Sequence, residues 1–192
     1  MGFQMTGAAL MLLFYGCYIV KMMAQRKKGI RTDQMGRGKT GAARVIELAV
    51  KAAAWGTAAA EAVSVLRNTS MFPLPARIVG AFAAVLGTAV FIASVVDHGG
   101  QLAGVAREER TALVTRGIYQ FSRNPAFLGF DLLYTGMAAM FCNWVLLVVS
   151  VLAVVMLHLQ VVEVEERFLA EAFGAEYLEY RERVCRYIGR RR

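Results

Sequence analysis

The stretch FSRNPAFLGF (residues 121–130) carries a serine, an arginine and an asparagine directly ahead of a long apolar run. Proline is favoured at the first position of a helix, and asparagine is favoured at the N-cap before it. The stretch therefore predicts a helix that begins at Pro125 with Asn124 as its cap. Two interpretations of the polar residues stay open. They are an interfacial anchor at the start of a membrane helix, or one wall of a polar binding site at the helix N-terminus.

Beyond this stretch, the composition is that of a membrane protein. Hydrophobic residues make up 57% of the 192 residues and charged residues only 19%, whereas soluble domains are usually less apolar. A helix needs about 20 residues to cross about 30 Å of hydrocarbon. Five apolar runs approach this length, and they cover residues 5–23, 45–66, 74–96, 125–142 and 144–162. The sequence predicts an all-α integral membrane bundle of about five transmembrane helices.

The basic residues predict the orientation of this bundle. With the chain divided in this way, all of the 22 lysines and arginines except Arg67 and Arg77 fall on one side of the membrane. The positive-inside rule then predicts an N-terminus outside and a C-terminus in the cytoplasm, which means the inner (plasma) membrane for a bacterial protein. Since topology accounts for the net charge of +8, no nucleic-acid partner is expected.

The C-terminal part of the chain predicts two further features. The last two apolar runs are separated by almost no loop, which is typical of a tight helical hairpin, here on the outer side. Beyond the hairpin, apolar residues recur among charges at three- and four-residue steps over residues 163–187. This periodicity predicts an amphipathic cytoplasmic helix, with Gly174 as its weak point.

The stretch HLQVVEVEERFL (residues 158–169) gathers polar groups at the cytoplasmic end of the fifth run. It contributes His158, Gln160 and three glutamates. Polar groups clustered at membrane depth are candidates for function. The alternative is that the carboxylates solvate the start of a cytoplasmic helix and pair with nearby arginines. Both interpretations stay open at this point.

Two isolated carboxylates, Glu61 and Asp131, lie within the apolar runs. Burying either charge costs several kcal/mol, so each is expected to face a partner, a water-filled cavity or an interface. They support a rival hypothesis, in which the protein is a small ion-coupled transporter. A non-catalytic membrane scaffold is a third possibility. Cys17, Cys142 and Cys185 lack the spacing of metal ligands, and no metal site is expected.

Four motifs in the same order resemble the isoprenylcysteine carboxyl methyltransferase and phospholipid methyltransferase group of membrane enzymes. They are LVTRGIY (113–119), RNPAFLG (123–129), EERFL (165–169) and FGAEYLEY (173–180). The resemblance covers roughly residues 111–187 of a single membrane-embedded domain (1–192), behind a three-span part (1–110). It implies methyl transfer from S-adenosylmethionine to a lipid-like acceptor that enters from the bilayer. A carboxylate, an amine and a thiol all remain possible nucleophiles.

The resemblance also implies roles for individual residues. Glu165 would take the ammonium group of the cofactor. Arg123 and Glu166 are the predicted catalytic residues, and His158 is a second candidate to accept a proton from an amine acceptor. The residues implied in cofactor binding are Ala112, Leu113, Val114, Tyr119, Asn124, Pro125, Ala126, Phe127 and Glu165.

One position departs from the family pattern. Members that methylate a prenylcysteine carboxylate carry an arginine one turn before the glutamate pair, and Val161 stands there in this chain. A carboxylate acceptor would therefore require Arg123 or Arg167 as a substitute. Valine at this position fits a neutral or amine acceptor at least as well.

Overall fold

The computed structural model describes residues 1–27, 41–97 and 113–190. Within these ranges the regular secondary structure is helical, apart from a single bridge between Val184 and Arg190. A 3₁₀-helix at Gly117–Gln120 precedes α4, and a π-helical turn at Val161–Glu165 joins α5 to α6. The α-helices are α1 (Gly2–Lys27), α2 (Ala42–Arg67), α3 (Leu74–Asp97), α4 (Pro125–Met140), α5 (Trp144–Gln160), α6 (Glu166–Phe173) and α7 (Ala175–Arg183).

Helices form at all five predicted apolar runs, and three segments in the described ranges are long and apolar enough to cross a membrane. They are Gly2–Ala24, Leu74–Asp97 and Trp144–Phe173. Helix α2 is interrupted by charged side chains, and α4 has only 16 residues. Length and composition therefore support three of the five predicted spans.

The outer faces of the long helices expose large apolar side chains. Leu12 of α1 is 77% exposed, Phe82 of α3 is 72% exposed, and Val145 of α5 is 67% exposed. Many large exposed apolar side chains on one set of helices are typical of surfaces that contact a membrane or a partner. Together with the three candidate spans, they identify an integral membrane protein.

Helices α3 and α4 pack through glycines on both partners. Gly80 and Gly87 of α3 are seven residues apart and share a face, as do Gly129 and Gly136 of α4. A Cβ atom on Gly87 would lie 2.6 Å from the backbone nitrogen of Leu133, far inside van der Waals contact. Small residues at a membrane helix interface let the two backbones approach closely. Glycine is therefore required where α3 and α4 meet.

An aromatic cluster joins α1 to this pair. The ring of Phe14 stacks on Phe91 of α3 with centroids 4.3 Å apart, and it meets Phe130 of α4 edge-on at 4.7 Å. Phe14 and Phe91 are fully buried. Aromatic pairs in these arrangements stabilise a core by roughly 0.5–1.5 kcal/mol each beyond the area they bury. Helix α1 is thereby fixed against the α3–α4 pair.

The predicted helical hairpin is present between α4 and α5. Asn143 caps α5, because its side-chain oxygen accepts a hydrogen bond from the Leu146 N–H at 3.0 Å.

Helix α2 packs against α5, where the Thr57 hydroxyl donates to the Val149 carbonyl at 3.2 Å. Fully buried Glu61 accepts a 2.8 Å hydrogen bond from the Tyr15 hydroxyl of α1. This carboxylate thus faces a partner inside the bundle.

The single amphipathic helix predicted over residues 163–187 is not confirmed. The chain instead passes through the π-helical turn, α6 and α7, and it is extended at Val184. Helix α6 ends at Gly174, whose φ of 52° is a conformation that glycine adopts at little cost. Gly174 was the predicted weak point, and a full break occurs there.

Replacing Gly87 by alanine is expected to destabilise the protein, since the added Cβ forces α3 away from the α4 backbone. Overpacking of this kind costs roughly 1–3 kcal/mol or more. Gly56→Ala in α2 is the matched control, because a Cβ there meets nothing within 4 Å and alanine favours a helix by about 1 kcal/mol. Thermal unfolding in detergent should show a lower Tm for Gly87→Ala and an equal or higher Tm for Gly56→Ala. Equal Tm values for both variants and the wild type would contradict the glycine interface.

Candidate active site

The end of α3 is tied to the segment that leads into α4. The Asp97 carboxylate accepts a 2.7 Å hydrogen bond from the Ile118 N–H at the start of the 3₁₀-helix. Gly117 has a φ of 59°, and a Cβ there would collide with the Asp97 carboxylate. Glycine is thus required for this close approach, and the LVTRGIY motif is held at the polar end of the bundle.

Glu166 binds two arginines from distant parts of the chain. Its Oε1 lies 3.1 Å from Nη1 of Arg123, which directly precedes α4. Arg186, beyond α7, donates from Nε to Oε1 at 2.8 Å and from Nη2 to Oε2 at 3.0 Å. Such two-pronged arginine–carboxylate contacts are among the strongest side-chain hydrogen bonds. Glu166 therefore joins the start of α4 to the C-terminal segment.

Arg123 is only 6% exposed and is held by further contacts. Its Nε donates to the Val184 carbonyl at 3.1 Å, and Nη1 donates to the Tyr177 hydroxyl at 2.8 Å. Its guanidinium is thus directed into the protein. The interpretation of Arg123 as a surface anchor does not fit this burial.

Arg186 was missed by sequence reasoning. In the sequence it is one arginine of a strongly basic C-terminal segment, and no spacing distinguishes it from its neighbours. Only the folded chain places it on Glu166. The hydrogen bonds that Arg186 donates to Glu166 raise the pKa of Arg186, so the cation persists at any ordinary pH.

Helix α4 begins at Pro125, as predicted, but the side chain of Asn124 does not cap it. The Asn124 amide instead donates to the Arg186 carbonyl at 3.3 Å, and its backbone N–H donates to the Ser122 hydroxyl at 3.1 Å. Asn124 is buried, with 6% of its surface exposed. The predicted N-cap position is confirmed, whereas its side chain holds the C-terminal segment.

A buried tyrosine layer fixes α7 against the LVTRGIY motif. The Tyr180 hydroxyl donates to the Tyr119 carbonyl at 2.6 Å. Leu113 packs against the cluster formed by Tyr177, Tyr180 and Val184. Burial raises the pKa of Tyr180, so the hydroxyl remains a donor at neutral pH. The motif and α7 therefore form one unit.

The glutamate pair, Glu165 and Glu166, lies where the π-helical turn passes into α6. Such turns insert an extra residue into a helix and are frequent at functional sites. Val161 is fully buried at its start, and the Gln160 amide donates to Oε1 of Glu165 at 3.2 Å. The Gln160 Oε1 atom is buried and has no hydrogen-bond partner among the described residues. A carboxylate beside an unsatisfied amide oxygen can accept hydrogen bonds from an ammonium group.

His158 and Tyr187 form a second polar pair. Nδ1 of His158, near the end of α5, is 2.7 Å from the Tyr187 hydroxyl in the C-terminal segment. Burial and then the charge of Asp131 raise the pKa of Tyr187 to about 12.

The remaining predicted residues divide between the site and the bundle. Ala126 packs against the cluster that contains Phe14, and Phe127 packs against the cluster that contains Tyr134. Val114 is half-buried in the segment before the 3₁₀-helix. Ala112 lies outside the described residues. The residues joined by contacts at the polar end are Leu113, Tyr119, Arg123, Asn124, Glu166, Tyr177, Tyr180 and Arg186.

Comparison with known proteins gives a consistent family. The sequence profile of the phospholipid methyltransferase family matches residues 75–176, from the start of α3 into α7. The described ranges contain no group of three or more His, Cys, Asp or Glu side chains that could hold a metal ion. No solved structure shows a significant match.

Several curated relatives share the matched region. Protein-S-isoprenylcysteine O-methyltransferase A of Arabidopsis thaliana is 40% identical over 78 residues, which are 41% of this chain and 40% of the relative. Form B from the same plant is 35% identical over 80 residues, 42% of this chain and 41% of the relative. The Homo sapiens protein of this name is 32% identical over 110 residues, 56% of this chain and 39% of the relative. The chain thus covers less than half the length of these three relatives.

Glu166→Gln is expected to destabilise the protein, because it leaves the buried Arg123 without its counter-charge. Breaking a buried ion pair from one side costs roughly 3–5 kcal/mol. Glu163→Gln is the matched control, since Glu163 pairs with Arg167 at the surface and such pairs contribute about 0–1 kcal/mol. Denaturant unfolding of the two variants measures the difference. Equal stability would show that the Arg123–Glu166 pair does not hold the site together.

Proposed function

The chain belongs to the phospholipid methyltransferase family, and on this premise we propose that it is a membrane enzyme that transfers a methyl group from S-adenosylmethionine to a lipid-like acceptor. The observation that carries the proposal is the 3.1 Å contact between Arg123 and Glu166. It brings the RNPAFLG and EERFL motifs together at one end of the bundle. The residues next to this pair, Asn124 and Glu165, are those implied in cofactor binding.

The residues at this end fit the proposed cofactor. Its ammonium group requires acceptors, and Glu165 together with the unsatisfied Gln160 oxygen supplies them. Tyr119, which accepts a hydrogen bond from Tyr180, and Pro125, which follows Asn124, are both buried. They would supply apolar surface. Gln160 is an addition to the predicted set. Leu113, Val114, Ala126 and Phe127 keep their proposed roles as lining residues.

The chemistry divides between cofactor and protein. When bound, S-adenosylmethionine supplies a methyl group on a positively charged sulfur, which leaves as a neutral thioether. The protein must then align the acceptor and exclude water. We propose that Arg123 and Glu166 act by holding the two motifs in register, with Arg186 as a third member. This rigid link keeps Asn124 and Glu165 in place while the methyl group is transferred.

The contacts of the arginines favour a neutral or amine acceptor. A carboxylate head group would need a cation beside it. The family position for that cation is the buried Val161, and Arg123 is engaged by Glu166. Arg167 is mostly exposed and pairs with Glu163. Both predicted substitutes are thus already paired with a glutamate.

An amine acceptor would have to lose a proton, and His158 is the group we propose to take it. When Nδ1–H donates to the Tyr187 oxygen, the ring keeps its lone pair on Nε2. That nitrogen can accept the proton. Glu166 is less suited to this step, because both of its oxygens already accept from guanidinium groups.

The proposal includes a membrane arrangement. All five long helices would embed in the bilayer, with the N-terminus outside and the C-terminus in the cytoplasm. The methyltransferase-like part, residues 111–187, would follow the three-span part, residues 1–110, and would hold the cofactor at the cytoplasmic end of the α4–α5 hairpin. Helices α6 and α7 would rest at the membrane surface. The acceptor would enter from the bilayer.

Glu165→Gln is expected to weaken S-adenosylmethionine binding about tenfold or more, because a hydrogen bond between charged groups is lost. Glu163→Gln should bind with wild-type affinity, since Glu163 pairs with Arg167 at the surface. Calorimetric titration of the purified full chain measures both affinities. Gln160→Leu provides a second variant, and its affinity should also fall. If the wild type fails to bind the cofactor, the non-catalytic scaffold becomes the better description.

The acceptor class is tested with a labelled methyl donor. Membranes containing the protein are given either phosphatidylethanolamine, which has an amine head group, or an S-prenylated cysteine, which has a carboxylate. We expect label in the amine lipid and at least about tenfold less in the carboxylate compound. His158→Gln should lower transfer to the amine without changing cofactor affinity. Preferential labelling of the carboxylate compound would contradict the argument from Val161.

A further inference from the structure

A cavity of about 430 Å³ opens beside α7, and the proposed methyl-transfer chemistry makes no use of it. Its lining residues are Thr115, Gln120, Tyr180, Arg183, Val184 and Arg190. None of these six is among the residues proposed to hold the methyl donor. The volume falls within the range of small-molecule sites in proteins.

Positive charge dominates this cavity. Its lining includes two arginines and no carboxylate. Arg190 donates from Nε and Nη2 to the backbone and side-chain oxygens of Gln120, and Arg183 donates from Nε to the Glu179 carbonyl. In the described part of the chain, neither guanidinium forms an ion pair. Both positive charges therefore remain available to an anion.

The lining chemistry fits a phosphate group. Planar guanidinium groups present paired N–H donors that match phosphate oxygens. Thr115 and Gln120 add neutral hydrogen-bonding groups at the same cavity. The bridge between Val184 and Arg190 fixes the C-terminal segment next to the end of α7. This bridge keeps Arg183 and Arg190 on one cavity although they are seven residues apart.

The position of the cavity also fits a membrane surface. Helix α7 follows the end of the candidate span at Phe173, and the 3₁₀-helix follows the end of α3. Two large apolar side chains within two residues of the lining in sequence, Phe121 and Ile188, are 59% and 72% exposed. The Arg190 guanidinium lies 5.3 Å from the centre of the Phe121 ring. Basic and aromatic side chains together are typical of the headgroup layer.

We propose that this cavity binds a phosphate group, carried either by an anionic lipid headgroup or by a free phosphate compound. The site shares no lining residue with the proposed methyl-donor site. Its occupant would also contact Tyr180, whose hydroxyl donates to the Tyr119 carbonyl. Phosphate binding would thereby add a contact to the residue that fixes α7 against the LVTRGIY motif.

Two probes test the proposal on the purified full chain. Inorganic phosphate is titrated by calorimetry in an uncharged detergent, with chloride at equal ionic strength as the reference. Phosphatidylglycerol and phosphatidylcholine are compared by native mass spectrometry of the protein–lipid complexes. Binding of phosphatidylglycerol alone identifies a lipid headgroup, and binding of inorganic phosphate identifies a site open to free phosphate. Either result supports the site.

Variants locate the binding. Arg183→Gln and Arg190→Gln together should weaken the bound probe about tenfold or more. Arg183→Gln alone should weaken it several-fold, and its fold should persist because Arg183 donates only to a carbonyl of its own helix. Arg181→Gln is the matched control, since this exposed residue lies on α7 but does not line the cavity.

Two outcomes would overturn the proposal. One is the absence of binding of either probe to the wild type. The other is a loss in Arg181→Gln equal to that in Arg183→Gln, which would indicate non-specific attraction to a basic surface. Neither measurement involves the methyl donor. A failure of this site is therefore distinguishable from a failure of the proposed methyl transfer.

Discussion

The close contact between the backbones of α3 and α4 is the constraint on which the rest of the molecule depends. Glycines on both helices remove the side chains that would otherwise separate them. The contact fixes the position of α4 relative to α3. Asp97 can then bind the Ile118 N–H, and Arg123 is brought to the polar end of the bundle. The site is thus built at the ends of two helices whose spacing allows almost no adjustment.

At the polar end of the bundle, one carboxylate binds two arginines. Glu166 joins Arg123, before α4, to Arg186, beyond α7. Buried charges are costly unless they are paired and hydrogen-bonded. Tyr177 and the Val184 carbonyl supply further hydrogen bonds to Arg123. The charges of Arg123, Glu166 and Arg186 thus stabilise the fold. The proposed chemistry therefore relies on Glu165, Gln160 and His158 instead.

Sequence reasoning was most accurate where a local rule decides the outcome. Proline at the first helical position placed the start of α4 at Pro125, and the short loop placed the α4–α5 hairpin. It was less accurate where distant segments compete for the same group. Asn124 had the composition of a helix cap, but its amide binds the Arg186 carbonyl. The periodicity of the C-terminal region predicted one helix, whereas the π-helical turn and Gly174 divide it.

The amino-acid sequence by itself determined the helical segments, the membrane class and the family, because these depend on apolar length, proline, glycine and motif order along one chain. Only the tertiary structure decided that Arg186 binds Glu166 and that the Gln160 oxygen beside Glu165 has no hydrogen-bond partner among the described residues. It also decided which two arginines line one cavity. These features join residues far apart in the chain or depend on a local change of helix type. Their energies come from burial and from distances of about 3 Å, which arise only when the helices pack.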